Sequence, residues 1–194
     1  MGMDREAQQF WKQRRREMLR RSHHGRGGQG TPVTFAIIAL MVLGWLVQNF
    51  FPGWLFYASV YGGRLGFILV STILPGSLIG LLFDGLFVWL IGSELERTMR
   101  PWQYLIVFFG AGIVGGTVMT VMGAGAEALS VFGLAGAYVY AMSHFSYQGA
   151  VRWALVLLVI NVVLSGFHPA VLIGMAGAFG TGLGLAWSMG AGGR

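Results

Sequence analysis

Few side chains in this chain of 194 residues could carry chemistry. There is no cysteine, which excludes thiolate nucleophiles, disulfides, haem attachment and cysteine-based zinc sites. The remaining nucleophile–base candidates are Ser130 paired with His144, His168, or the upstream His23 and His24. The predicted helices bring none of these pairs together. No zinc, flavin, haem or phosphate-binding motif is present, so the sequence indicates no cofactor.

Asp84, Glu94 and Glu96 are acidic residues that lie in or beside one apolar segment. Asp84 interrupts that segment, where a carboxylate at membrane depth costs about 2.5 to 3.5 kcal/mol on insertion scales. We favour a structural interpretation, a carboxyl bonded to Ser, Thr or backbone groups inside a helix bundle. The functional alternative is a polar contact for a client helix or a proton-sensitive site. Glu94 and Glu96 lie beside Arg97 and Arg100, and we expect interfacial ion pairs there.

The composition places these residues in a membrane protein. Hydrophobic residues make up 55% and charged residues 10%, against about 25% charged residues in average soluble domains. A membrane helix needs about 20 apolar residues. Six segments are apolar enough to be such helices, at 33–51, 78–92, 102–121, 128–145, 153–167 and 171–189. The sequence therefore predicts an all-α polytopic membrane protein, with a six-helix bundle over 31–190 and a short tail at 191–194. Segment 52–75, apolar but interrupted by glycines, is expected to be a re-entrant or surface-lying loop.

Positive charge is concentrated at the N-terminus, where eight of the 13 Lys and Arg residues precede residue 27. With that terminus in the cytoplasm, six spans put 12 of the 13 on the cytoplasmic side, as the positive-inside rule favours. We therefore expect both termini to be cytoplasmic. Residues 1–30 are predicted to be a basic amphipathic tail with a glycine-rich joint, in which Phe10 and Trp11 lie on the apolar face and the tail contacts anionic lipid. A solvated tail that only fixes topology is the alternative, and nucleic acid is not expected.

Two further patterns concern the source and the packing of the chain. Arg outnumbers Lys by 12 to one, which is typical of a GC-rich bacterial genome, so we expect a bacterial inner membrane.

Gly112/Gly116 and Gly180/Gly184 have the small-xxx-small spacing that lets membrane helices approach closely. We expect this spacing to serve internal packing, with a dimer interface as the less favoured alternative.

Four short motifs follow one another along residues 33–189. They are Arg64-Leu65 upstream of Pro75, WLIGSELER at 89–97, VFGLAGA at 131–137, and GAF at 177–179 with Gly182. In this order they resemble four features of the rhomboid intramembrane proteases: the W-R motif of the first loop, the W-x-x-G-x-x-L-E end of the second helix, the segment after the nucleophile, and the glycine-rich sixth helix. Gly63 stands where the W-R motif has Trp. The resemblance implies a rhomboid-like bundle with an irregular first loop.

The same resemblance implies that the family's chemistry is absent. Ala128 stands at the position of the nucleophilic serine, and Met175 at that of the general-base histidine. Gly80 and Asp84 replace the His and Asn that face the oxyanion. Acyl transfer needs a nucleophile, a base and oxyanion donors, so the resemblance implies an inactive member, a pseudoprotease.

Ser130 and His168 do not restore the lost pair in the predicted bundle. Ser130 lies two residues after Ala128 and so points about 200° away on a helix. We expect its hydroxyl to bond back to a helix carbonyl. His168, followed by Pro169, is expected to be an interfacial residue at the start of a helix.

The sequence thus predicts a non-catalytic, rhomboid-like membrane protein and not an enzyme. We expect it to bind transmembrane segments of other proteins, as an adaptor, chaperone or accessory subunit in a hetero-oligomer. Candidate partner contacts are Phe10, Trp11, Arg64 and Asp84. One alternative is a rhomboid-type serine protease with displaced catalytic residues. Another is a small transporter or channel component in which Asp84 is the important charge.

Overall fold

The computed structural model describes residues 30–51, 53–123, 128–143 and 168–190, together with six helical residues between 152 and 163. Within the second helix, the side chains of residues 55, 56, 58, 59, 64, 65 and 71 fall outside the description. The helices with described bounds belong to the compact unit that begins at Thr31. They are α1 (Pro32–Phe50), α2 (Trp54–Ser71), α3 (Leu78–Thr98), α4 (Pro101–Val121), α5 (Ser130–Ser143) and α6 (Pro169–Ser188).

Four of these helices are long and apolar enough to cross a membrane. They are α1, α3, α4 and α6, each of 19 to 21 residues with a mean hydropathy of 1.6 to 2.0. The described residues are therefore all-helical, with four helices that could span a membrane, as the apolar segments predict. The predicted fourth span is a shorter helix of 14 residues, α5. Most of the predicted fifth span, 153–167, and both terminal tails, 1–29 and 191–194, lie outside the described residues.

Proline and serine mark where helices begin. α1, α4 and α6 each start with proline, whose fixed φ suits the first turn and whose missing N–H would have no partner there. α3 starts after Ser77, whose side chain accepts the Gly80 N–H at 3.0 Å as an N-cap. These signals are local, which is why the predicted boundaries of α1, α4 and α6 lie within two residues of those in the structure.

The prediction of an irregular loop at 52–75 is wrong for most of that segment. Residues Trp54–Ser71 are helical, and the helix is broken only at Gly63, where φ is 60° and ψ is −165°. This backbone region is essentially open to glycine alone. Gly53, at φ 104°, makes the turn that precedes the helix. Glycines therefore interrupt the helix at one position and otherwise leave the surrounding apolar residues helical.

α3 changes its winding in the middle. A π-helical turn, Val88–Gly92, joins the α-helical stretches Leu78–Phe87 and Ser93–Thr98. Such turns insert a residue into an otherwise regular helix and occur frequently at functional sites. Gly92 ends the turn at a close approach to the Tyr104 hydroxyl of α4, with Thr34 of α1 beside it. The helix then continues through the charged residues to Thr98, beyond the predicted end at residue 92.

The helices α4, α5 and α6 pack through glycine. A Cβ on Gly182 would overlap the backbone carbonyl of Gly133, and one on Gly136 would overlap the carbonyl oxygen of Phe179. Gln103 adds a polar tie, because its side-chain amide donates to the Met189 carbonyl at 3.2 Å and so joins the start of α4 to the end of α6. Glycine on both α5 and α6 thus sets the distance between them.

The two small-xxx-small pairs behave differently. Gly112 is buried, and a Cβ there would overlap the Thr72 side chain. Gly180 and Gly184 would place a Cβ within 4 Å of no atom in the described part of the chain. Internal packing is therefore correct for Gly112 and wrong for Gly180/Gly184 as far as the described helices are concerned. Gly174 and Gly182, which lie on another face of the same helix, point toward α4 and α5 instead.

Candidate functional site

The four positions that correspond to rhomboid catalytic residues lie in three parts of the structure. Gly80 and Asp84 lie one turn apart on α3, both half-buried. Ala128 is buried just before α5, and Met175 is buried on α6. Met175 belongs to one apolar cluster, and Ala128 directly precedes Leu129, another member of that cluster.

That cluster, called here the Met175 cluster, fills the space between α4, α5 and α6. Its buried members are all apolar, and they are Ala111, Met119, Leu129, Phe132, Val171, Met175 and Ala178. Leu129, the neighbour of Ala128 in the chain, touches the positions where Gly115 and Gly174 would carry a Cβ, at 2.9 and 2.8 Å. The side chains of this cluster supply no nucleophile, no base and no hydrogen-bond donor to a developing oxyanion.

The Ser130 hydroxyl has a structural partner. Ser130 is fully buried, and its hydroxyl donates to the Thr72 backbone carbonyl at 2.8 Å. The Thr72 hydroxyl in turn donates to the Ile68 carbonyl at 2.7 Å. The expectation that Ser130 bonds to a carbonyl is correct, but the carbonyl belongs to the end of α2, 58 residues away, and not to the helix of Ser130. The bond therefore ties α5 to α2.

His168 lies at the N-cap of α6, as its proline neighbour predicts, and it is exposed. No hydrogen bond joins it to Ser130 in the described residues, because the Ser130 proton is donated to Thr72. His144, His23 and His24 are outside the described residues. The described geometry therefore contains no assembled serine–histidine pair.

Glu96 holds the start of α1, a role that its sequence neighbours did not reveal. One carboxylate oxygen accepts the Val33 N–H at 2.8 Å, and the other accepts the Thr34 N–H at 2.8 Å and the Thr34 hydroxyl at 2.7 Å. The first N–H groups of a helix lack intrahelical partners and carry partial positive charge, so a carboxylate there is favourable. Thr31, the N-cap residue, supplies no side-chain bond of its own.

The expectation of interfacial ion pairs is therefore half right. Glu94 pairs with Arg97 at 3.5 Å, with both side chains about half exposed. Exposed pairs of this kind contribute about 0 to 1 kcal/mol. Glu96 instead faces the backbone of α1. The sequence signal that could have found it is a helix start at Pro32 on the same predicted side of the membrane as the end of the segment that leads to Glu96.

The region around Glu96 also contains a tightly packed tyrosine. The Tyr104 hydroxyl is buried against Gly92 and lies beside Thr34, but it has no hydrogen bond of acceptable geometry in the described structure. Glycine at 92 is needed there, since a Cβ would overlap that hydroxyl. The Glu96–Thr34 contact and the Gly92–Tyr104 contact together hold one end of α1, α3 and α4.

A cleft lies at the other end of α4. Its volume is about 330 Å³, and it is lined by Ile68 of α2 and by Thr117, Thr120 and Val121 of α4. The hydroxyls of Thr117 and Thr120 donate to carbonyls one turn back on α4, at 2.6 and 2.7 Å. The cleft is therefore lined by methyl groups and by hydroxyl oxygens whose protons are donated to carbonyls within α4.

The predicted partner contacts are described only in part. Phe10 and Trp11 lie outside the described residues. Arg64 follows the break of α2 at Gly63, but its side chain is not described. Asp84 is half-buried on α3. In the described part of the chain, no three His, Asp or Glu residues are grouped as metal ligands would be. No family model and no curated protein sequence matches the chain.

Proposed function

We propose that this chain is a non-catalytic, rhomboid-like membrane protein that binds transmembrane segments of partner proteins. The single observation that supports the proposal is the lack of a reactive side chain at the positions that correspond to the rhomboid nucleophile and base. There, Met175 is part of an apolar cluster, Ala128 directly precedes Leu129 of that cluster, and the nearby Ser130 hydroxyl donates to a backbone carbonyl. A helical scaffold without reactive groups can hold a membrane segment but has no means to cut it.

The partner is proposed to be a transmembrane helix because membrane helices associate through close packing and a few polar contacts. α3 offers an apolar face for such packing. Leu82 and Leu86 are exposed one turn apart on its surface. Asp84 lies two residues from each, about 160° around the helix, and is half-buried. In the proposed arrangement the partner helix packs on the Leu82 and Leu86 face of α3.

The finer features of the proposal come from the sequence. The chain lies in a bacterial inner membrane with six spans and both termini in the cytoplasm. Its basic tail, with Phe10 and Trp11, rests on anionic lipid. The chain acts as an adaptor, chaperone or accessory subunit, and its working form is a hetero-oligomer.

Site-specific photo-crosslinking in native membranes tests the proposal. A photoreactive residue is placed at Leu82 on α3 and, as the matched control, at Ile106 on α4, which is also exposed and apolar. We expect one distinct protein adduct from position 82 and only lipid adducts from position 106. Protein adducts of equal yield from both positions would contradict the proposed binding face. Lipid adducts alone from both, with a monomer recovered in several mild detergents, would contradict partner binding itself.

A further inference from the structure

The helix α1 is the least buried of the four long helices. Only 17% of its apolar stretch is buried, against 39 to 44% for α3, α4 and α6. The buried residues are Thr34, Ile37 and Met41, all in its first ten positions. Beyond them, Gly44 is in contact range of Leu74, where a Cβ would lie 2.9 Å from the leucine side chain, while Val47 and Phe50 are exposed. Burial therefore holds α1 mainly at its first half.

The polar attachment of α1 lies at that same first half. Glu96 accepts all three of its hydrogen bonds from Val33 and Thr34, within the first turn. The bonds cross from α3 to α1 over 62 and 63 residues, so they constrain the position of one helix relative to the other. Each is a bond to a charged acceptor, the stronger class of hydrogen bond in proteins.

The rest of the bundle does not depend on this attachment. α4, α5 and α6 are held by the glycine contacts Gly133–Gly182 and Gly136–Phe179 and by the Gln103–Met189 hydrogen bond. None of these contacts involves α1.

We infer that the Glu96 carboxylate is a latch that keeps α1 docked on α3, and that its release lets α1 separate while α4, α5 and α6 stay packed. This inference concerns the isolated chain and does not rest on the proposed function. The latch makes α1 the movable element of the described bundle.

Distance measurement between spin labels tests the latch. The chain has no cysteine, so pairs introduced by substitution are the only labelling sites. One pair, Phe50→Cys with Ile79→Cys, reports on α1 against α3. The other, Val114→Cys with Ile173→Cys, reports on α4 against α6. All four positions are exposed, so the labels leave the packing undisturbed.

The test variant is Glu96→Gln, which replaces one acceptor oxygen with an amide that faces N–H donors. We expect the ratio of docked to separated α1 to fall about tenfold or more, from the usual strength of charged hydrogen bonds. A longer distance should appear for the first pair and not for the second. Glu94→Gln, two residues away on the exposed surface, is the matched control and should change neither distance.

Thr34→Val removes only the hydroxyl donor and should shift the first pair in the same direction by a smaller amount. An unchanged first distance in Glu96→Gln would overturn the latch. Simultaneous change of both pairs would also overturn it, since Glu96 would then support the whole bundle and not the docking of one helix.

Discussion

Alanine substitution at Gly182 tests the contact that sets the spacing of α5 and α6. A Cβ added at Gly182 would overlap the Gly133 carbonyl oxygen and lie 2.6 and 2.7 Å from the Gly133 carbonyl carbon and Cα. All three obstructing atoms are backbone, so no side-chain rotation can make room, and the two helices must move apart.

The expected magnitude follows from overpacking. Inserting a methyl group into a well-packed core costs about 1 to 3 kcal/mol, and a backbone obstruction puts this case in the upper part of that range. Gly180→Ala is the matched control, because it lies on the same helix and its Cβ would meet nothing within 4 Å in the described residues. The intrinsic helix preference of alanine over glycine is worth about 1 kcal/mol, so this control should be neutral or slightly stabilising.

The assay is reversible unfolding of the detergent-solubilised chain by sodium dodecyl sulfate, followed through the fluorescence of its seven tryptophans. The helix preference of alanine is the same in both variants and cancels, so we expect Gly182→Ala to unfold more easily than Gly180→Ala by about 2 to 3 kcal/mol. Equal stability of the two variants would refute the assignment of the inward face of α6 to Gly174 and Gly182.

Three other substitutions test single contacts by the same unfolding assay. Ser130→Ala should cost about 1 to 3 kcal/mol, because the buried Thr72 carbonyl loses its donor; a neutral result would contradict the tie between α5 and α2. Gly63→Ala should cost about 1 to 3 kcal/mol for its strained backbone, whereas Gly62→Ala, in helical geometry with open space around it, should not, and equal effects would argue against the break in α2. Gly92→Ala should destabilise the chain, and adding Tyr104→Phe should recover part of the loss, because the overlapping atom is the tyrosine hydroxyl; no recovery in the double variant would place the obstruction elsewhere.

The long apolar helices could be predicted from sequence because their signals are local. α1, α4 and α6 are uncharged stretches that start at a proline, and the structure begins them at Pro32, Pro101 and Pro169. Composition alone therefore locates the apolar core of each helix, and proline locates its start.

The misjudged parts depend on contacts between distant residues. The glycines in 52–75 predicted a loop, yet within Trp54–Ser71 only Gly63 leaves helical geometry, and composition does not distinguish it from Gly62. Whether Gly180 or Gly182 faces inward depends on how α6 is rotated against α5. Residue type alone could not reveal this, since both positions are glycine.

In the candidate site, too, local features could be predicted from the sequence and contacts between distant residues could not. The absence of reactive side chains at positions 128 and 175 is a property of the sequence, and the structure adds that both are buried. The acceptor of the Ser130 hydroxyl and the donors to Glu96 lie about 60 residues away in the chain. Sequence reasoning therefore paired Ser130 with its own helix and Glu96 with neighbouring arginines.

The most direct test of the central claim is labelling of the purified protein by a fluorophosphonate, a reagent that reacts with activated serine hydroxyls. The wild-type chain is compared with Ser130→Ala in the same detergent, with an active serine hydrolase as the positive control. Because the Ser130 proton is donated to the Thr72 carbonyl, we predict no adduct on Ser130. An adduct on wild-type Ser130 that disappears in Ser130→Ala would show an activated nucleophile and contradict a non-catalytic scaffold.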